Sequence, residues 1–358
     1  MNQEELHKLL AAGMKHNASD VHFKVGDPPM YRVDGTLAHL KYEKLKPADT
    51  EAIVQVMIRD RRVLDDLASL QEYDTSYSLP GVSRFRVNIY RQRGSLSIVC
   101  RVIPSQVPTI EELGLPPVVS TIADEERGLV LVTGATGSGK SWTLAAIVQH
   151  INARQQCHIL TIEDPIEFLI RDRRSIVNQR EIGVDTQSFA NALRAALRQD
   201  PDVILVGEMR DVETIDIALK AAETGHLVIS TVHTTDAAKT VGRILSFFSA
   251  EEQQNVRFRV ADNLKATISQ RLLPRGDGSG RLVAAEIMIA TATVQDYIRD
   301  PMRTGALKDV IEKGRLNYHM QSFDQHLIEL YRAKIITLET ATANASNPSD
   351  FQRALNFE

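Results

Sequence analysis

The chain has 358 residues, 43% of them hydrophobic and 25% charged. That length suggests about two domains at ~150 residues each, and the composition excludes disordered and collagen-like classes. The formal net charge of −4 speaks against a generally basic nucleic-acid-binding chain, while 29 Arg against 13 Lys point to interfaces and phosphate contacts, where a rigid fork of donors outperforms an ammonium.

In chain order, residues 3–15 carry apolar side chains at helical spacing (Leu6, Leu9, Leu10, Met14). No run approaches the ~18 apolar residues of a membrane span, and residues 1–10 lack a basic-then-apolar signal pattern. The chain is therefore expected in the cytosol. Short strand-like runs follow at 21–25 and 30–33, with Asp34-Gly35 as a turn. A helix is predicted over 49–58, then alternating runs at 73–79, 84–90 and 96–103. In Arg84-Phe85-Arg86-Val87-Asn88-Ile89-Tyr90 every second residue is apolar, so one face is buried and the other polar, with Arg84 and Arg86 pointing outward together. These elements make a small α+β domain on an antiparallel sheet, placed at residues 1–103.

Four prolines between 104 and 117 mark a stiff linker without regular structure. From 118 to 358 the texture changes. Apolar runs at 129–133, 159–162, 203–206 and 227–231 alternate with helical patterns near 140–153, 187–199, 211–224 and 237–247, the signature of a mostly parallel sheet covered on both faces. Beyond about residue 251 the chain reads as mainly helical, with one apolar run at 282–289. Cys100 and Cys157 stand far apart with no CxxC, so neither a disulfide framework nor a zinc knot is expected, and both read as buried thiols.

Gly134-Ala135-Thr136-Gly137-Ser138-Gly139-Lys140-Ser141 fits G-x-x-x-x-G-K-[ST] at every fixed position, between a predicted strand and a predicted helix. In such a loop backbone N–H groups and a helix N-terminus cradle phosphates. Lys140 reaches the β/γ-phosphates of ATP and Ser141 ligates Mg²⁺. Trp142, next in the helix's first turn, packs in the core or touches the nucleotide or a neighbouring chain. Two acids end apolar strands: Glu163 in Ile159-Leu160-Thr161-Ile162-Glu163, and Glu208 in Val203-Ile204-Leu205-Val206-Gly207-Glu208. Acids at carboxyl ends of parallel strands lie where ligands of α/β sheets bind. Glu208 is read as the Mg²⁺-side acid or general base, Glu163 as a group that orients or deprotonates water; which takes the proton stays open. His226 and His233 bracket the next strand, and a γ-phosphate-sensing role is expected for at least one.

Together these motifs resemble the secretion-superfamily ATPases, specifically type IV pilus retraction motors of the PilT/PilU kind. Ala18-Ser19-Asp20-Val21-His22 is similar to their amino-terminal signature, Arg84-Phe85-Arg86-Val87-Asn88 to their basic strand, residues 159–168 to their Asp box, 193–211 to their Walker B region, and 222–233 to their His box. The resemblance implies a PAS-like amino-terminal domain and a RecA-like P-loop ATPase domain, with nucleotide between them and arginines of the small domain reaching its phosphates; by position these are Arg84, Arg86 and Arg101. It implies a homohexamer with Mg²⁺ and ATP, peripheral at the inner membrane, acting on a pilus platform protein to drive retraction and twitching, with a second retraction ATPase as a further partner; the acidic net charge and the lack of an aromatic-plus-basic groove speak against nucleic acid as a partner. Ala135 and Met320-Gln321-Ser322-Phe323-Asp324-Gln325 resemble the PilU branch, Met209-Arg210-Asp211 the PilT branch. The alternative, an extension motor or type II secretion ATPase, typically carries a further amino-terminal domain and a four-cysteine zinc site.

Overall fold

The computed structural model describes residues 1–357 and divides into two compact units: Met1–Gln106 with Pro165–Leu169, and Val107–Asp164 with Ile170 onward. The short segment Pro165–Leu169, inside the predicted second domain, thus clusters with the first unit; Leu169 N–H donates to the Pro104 carbonyl.

In the first unit, α1 (Gln3–Lys15) is followed by β1 (Asp20–Lys24), β2 (Met30–Val33), β3 (Thr36–His39), α2 (Pro47–Met57), α3 (Arg61–Asp65), β4 (Glu72–Leu79), β5 (Ser83–Gln92) and β6 (Ser95–Ile103). The strands form one antiparallel sheet ordered β3-β2-β1-β6-β5-β4. Asp34 and Gly35 both adopt positive φ, which closes the tight β2–β3 hairpin and creates a strand, β3, that the sequence reading left out. The alternation along β5 holds: Phe85, Val87 and Ile89 are fully buried with Leu6, Leu10, Val54 and Phe23 in one core. Apolar burial of this kind contributes ~1.5–3 kcal/mol per large side chain.

The second unit begins with α4 (Val118–Ala123) and β7 (Gly128–Thr133). Then come α5 (Lys140–Arg154), β8 (His158–Glu163), β9 (Ile176–Glu181), α6 (Phe189–Ala196), β10 (Val203–Val206), α7 (Val212–Glu223), β11 (Leu227–Val232), α8 (Ala237–Leu245), α9 (Ala250–Asn263), β12 (Leu264–Pro274) and β13 (Arg281–Ile289); the remaining helices run from Ala292–Arg299 to Pro348–Phe357. The seven strands are ordered β13-β12-β7-β11-β10-β8-β9, all parallel except β13, which runs antiparallel to β12. β7, β10 and β11 are buried along their whole length, as a parallel sheet covered on both faces requires.

Two expectations fail here. The region after 251 is mainly helical, but the apolar run at 282–289, which forms β13, is not its only strand: Leu264–Pro274 forms β12, directly beside β7. Its pattern, Leu-Lys-Ala-Thr-Ile-Ser-Gln, hides the strand because Thr267, Ser269 and Gln270 are polar yet buried. Cys100 is buried, but Cys157 is only half-buried, its sulfur 3.3 Å from Ser175 Oγ.

Candidate active site

Because β7, β8, β10 and β11 run parallel, the segments after each emerge on one edge of the sheet. The glycine-rich loop follows β7, Glu163 ends β8, Gly207 and Glu208 follow β10, and His233 follows β11. His226 precedes β11, so it lies at the opposite edge, about 20 Å away along a six-residue strand. There its Nδ1 faces the Ala221 carbonyl at 2.9 Å. Of the two histidines, at least one of which is expected to sense the γ-phosphate, only His233 is on the loop's side of the sheet.

The loop's backbone demands its glycines. Gly134 has φ +146° and Gly139, the residue before α5, has φ +93°, conformations that L side chains rarely adopt. A Cβ on Gly134 would stand 2.4 Å from Ser138 Oγ and 2.7 Å from the Gln270 carbonyl oxygen. The loop is therefore pressed against β12 on one side. On the other, Ala135, Thr136 and Gly137 are exposed, and Gly137 also has positive φ. Ser138 Oγ is buried with no hydrogen-bond partner. Lys140 Nζ donates to the Gly134 and Ala135 carbonyls at 2.9 and 3.0 Å. Burial pulls its pKa below the ordinary lysine range, against the opposing charge of Glu208. Ser141 is exposed at the first turn of α5. A curled backbone, an orphaned hydroxyl, a partly desolvated ammonium and a helix N-terminus fit a polyphosphate. Trp142 is 49% exposed, which removes core packing as its reason to be there.

Thr161 Oγ1 and Gln179 Nε2 both donate to Glu163 Oε1, at 2.6 and 3.1 Å, which fixes this carboxylate from β8 and β9. Glu208 Oε1 is 3.5 Å from His233 Nε2, and Glu208 Oε2 is 3.9 Å from Arg210 Nη1. Arg210 Nη2 also reaches Asp164 Oδ2 at 3.2 Å. The Gly207 N–H donates to the Ile162 carbonyl and the Met209 N–H to the Thr231 carbonyl, so Glu208 is clamped between β8 and β11.

Sequence reading missed the β12 contribution. Thr133 Oγ1 donates to Ser269 Oγ at 2.9 Å one residue before the loop, and Gln270 Nε2 donates to Thr143 Oγ1 at 2.7 Å on α5. Polar residues inside an apolar run were the available signal. Arg210, quoted only as part of a motif, is a cation among three acids of this edge.

In the first unit, one row of the sheet places Arg86 opposite Arg101, Arg101 opposite Asp20, and Asp20 opposite Arg32. Arg101 Nε donates to Asp20 Oδ1 at 2.9 Å. Burial pushes the Asp20 carboxyl up, but hydrogen bonds from Arg101 and Ser19 and the Arg101 charge outweigh it and hold the group below the usual carboxylate range. Arg84 is half-buried and its Nη1 donates to Ser78 Oγ at 3.1 Å. The expectation that Arg84 and Arg86 both reach outward thus holds for Arg86 alone, which is exposed; Arg84 is held by the neighbouring strand β4.

A family model described as "Type II/IV secretion system protein" matches residues 2–353. The chain is 45% identical over 347 residues to a type IV pilus retraction ATPase, PilT, of Pseudomonas aeruginosa, covering 97% of this chain and 100% of that one. It is 39% identical over 349 residues to the type IV pilus ATPase PilU of the same organism, covering 97% and 90%. A crystal structure of the pilus retraction motor PilT with bound ADP superposes with a TM-score of 0.84 at 42% identity, covering 99% of both chains.

Proposed function

The chain belongs to the type II/IV secretion system protein family, and on that premise we propose that it is the ATPase that powers type IV pilus retraction. The observation that carries this reading is a phosphate loop, two acids and His233 on one sheet edge, in a chain 45% identical along 97% of its length to a pilus retraction ATPase. The fold is α/β and RecA-like, with a smaller α+β amino-terminal domain read as PAS-like at 1–103, a linker at 104–117 and the ATPase domain at 118–358.

ATP is the substrate. The backbone of Gly134, Ala135, Thr136, Gly137, Ser138 and Gly139 wraps its phosphates, and Lys140 supplies the positive charge beside them. Ser141 and Glu208 are the residues that would hold Mg²⁺, an ion that usually keeps several waters and relies on substrate phosphates plus one or two carboxylates; when bound it neutralises charge on the phosphates. Glu163, fixed by Thr161 and Gln179, orients the attacking water. Glu208 accepts its proton or holds the metal side, and His233 bridges Glu208 to the γ-phosphate. Trp142 lies against the nucleotide or a neighbouring chain. Arg84, Arg86 and Arg101, from this chain or a neighbour, supply charge as the phosphoryl group transfers, which lowers a barrier that a P-loop alone leaves high.

The motor is a homohexamer, cytoplasmic and peripheral at the inner membrane, that works on a pilus platform protein and alongside a second retraction ATPase. No helix among the described residues is long and apolar enough to cross a membrane; in this reading the membrane contact runs through a partner. Deleting the gene tests the role: cells keep their pili and lose twitching, and the wild-type gene restores it where Lys140→Ala does not. Cells without pili would assign the chain to extension instead.

A further inference from the structure

β13 carries a carboxylate deep inside the second unit. Glu286 is 5% exposed, and its Oε1 accepts the N–H of Ala237 at 2.9 Å. Ala237 is the first residue of α8 and is itself fully buried. The four residues before it connect β11 to α8 and begin with His233. This connection is tied to the helix at several points. Thr234 Oγ1 lies 2.7 Å from Thr240 Oγ1, Thr240 Oγ1 donates to the Asp236 carbonyl, and the Asp236 carboxylate accepts the Lys239 N–H. Where α8 starts therefore decides where His233 stands, and His233 Nε2 is 3.5 Å from Glu208.

Glu286 also sits opposite Ser269 in the β12–β13 register, and Ser269 accepts the hydroxyl of Thr133 one residue before the phosphate loop. One carboxylate thus stands between the strand that borders the loop and the helix that aims the histidine. A buried carboxylate is costly unless it is well hydrogen-bonded. The charged groups facing this one are Asp236, the residue that caps α8, Arg271 from β12 and Lys308 from the helix Leu307–Lys313. Burial, opposed by the Ala237 N–H and reinforced by Asp236, raises its pKa to about 7. The apolar residues Ala284, Ala285, Ile287 and Met288 around it on β13 are fully buried, and an apolar side chain at position 286 would continue that run.

We propose that Glu286 is a positioning residue of the ATPase centre, holding the start of α8 and through it the His233 loop against Glu208. This rests on the reading of His233 and Glu208 as parts of that centre. Glu286 touches no substrate; it acts through the Ala237 N–H.

The test compares Glu286→Ala, Glu286→Gln, His233→Ala and the double variant Glu286→Ala/His233→Ala in steady-state ATPase assays on the full chain. Glu286→Ala lowers kcat about tenfold or more while KM for ATP stays within about twofold, because the phosphate loop is untouched. Glu286→Gln, whose amide oxygen accepts the same N–H, restores kcat to within about threefold. The double variant is no slower than the slower single variant, since both act through one contact. If Glu286→Ala does not fold, Glu286→Asp replaces it; the shorter side chain falls short of Ala237 and lowers kcat in the same way. A folded Glu286→Ala with wild-type kcat, or losses that multiply in the double variant, overturns the proposal. Wild-type kcat in His233→Ala would instead remove His233 from the centre, and the proposal would fall with that reading.

Discussion

The phosphate loop makes a quantitative demand on Gly134. Its φ of +146° is a region where L side chains are strained, at ~1–3 kcal/mol. A Cβ there would also stand 2.4 Å from Ser138 Oγ and 2.7 Å from the backbone oxygen of Gln270. Ser138 can rotate; the β12 backbone at Gln270 cannot move without disturbing its register with Ala285 of β13 and that of the adjacent Ser269 with Thr133 of β7, so Gly134→Ala costs ~3–5 kcal/mol in total, the upper part of what single substitutions do. At ~2–4 °C per kcal/mol for a domain of this size, the second unit should melt ~6–20 °C lower. The strain can be relieved only by uncurling the loop, which also removes the phosphate cradle. Differential scanning fluorimetry with and without ADP reads both effects. Wild type at about a hundredfold excess of ADP over Kd gains ~2.7 kcal/mol, whereas Gly134→Ala melts low and gains nothing. A variant that melts with wild type and shows the full ADP shift would refute the argument that this backbone conformation and the Gln270 contact define the site.

Glu208→Gln keeps the shape of the clamped segment and loses its charge, so ATP binding should persist while turnover drops about a hundredfold, equivalent to ~2.7 kcal/mol of barrier; fluorescent-nucleotide titration and phosphate release separate the two. Arg86→Ala should lower kcat about tenfold or more with nucleotide affinity unchanged, because the contact matters as charge develops, and equal turnover would return this arginine to solvated surface. Glu286 gives the chain a pH-dependent stability. Its folded pKa of about 7 lies above the unfolded value of 4.5, so the folded state binds the proton more tightly, and stability falls as pH rises from 4.5 to about 7. The span is ~3 kcal/mol. Glu286→Gln should flatten that slope in urea melts at pH 5 and pH 8 and be the more stable protein at pH 8.

How much of this was legible in the sequence depended on whether a residue's surroundings were local. The loop from Gly134 to Ser141 could be read because its chemistry is contiguous: glycines, lysine and serine act on one ligand from one turn and the helix that follows. The acids could be read because a short apolar run followed by a carboxylate fixes which end of a parallel strand the acid occupies. The same logic, carried one step further, places the histidines. A strand has two ends on opposite edges of the sheet, so bracketing it puts His226 and His233 a strand length apart, and only the one after the strand shares the edge with the loop. What stayed hidden depended on partners distant in sequence. β12 looked helical because Ser269 and Gln270 are polar, yet they are buried for the sake of Thr133 and Thr143, more than a hundred residues earlier. Glu286 lies unmarked inside the apolar run at 282–289, and its partner is a backbone N–H on α8. Arg84 and Arg86 share a face by periodicity alone, but Ser78 across the sheet engages the first and leaves the second exposed. Buried polar residues inside apolar strands are therefore the positions where this chain ties its loop edge together beyond the motifs, since each must be matched by a partner that the pattern of its own segment does not contain.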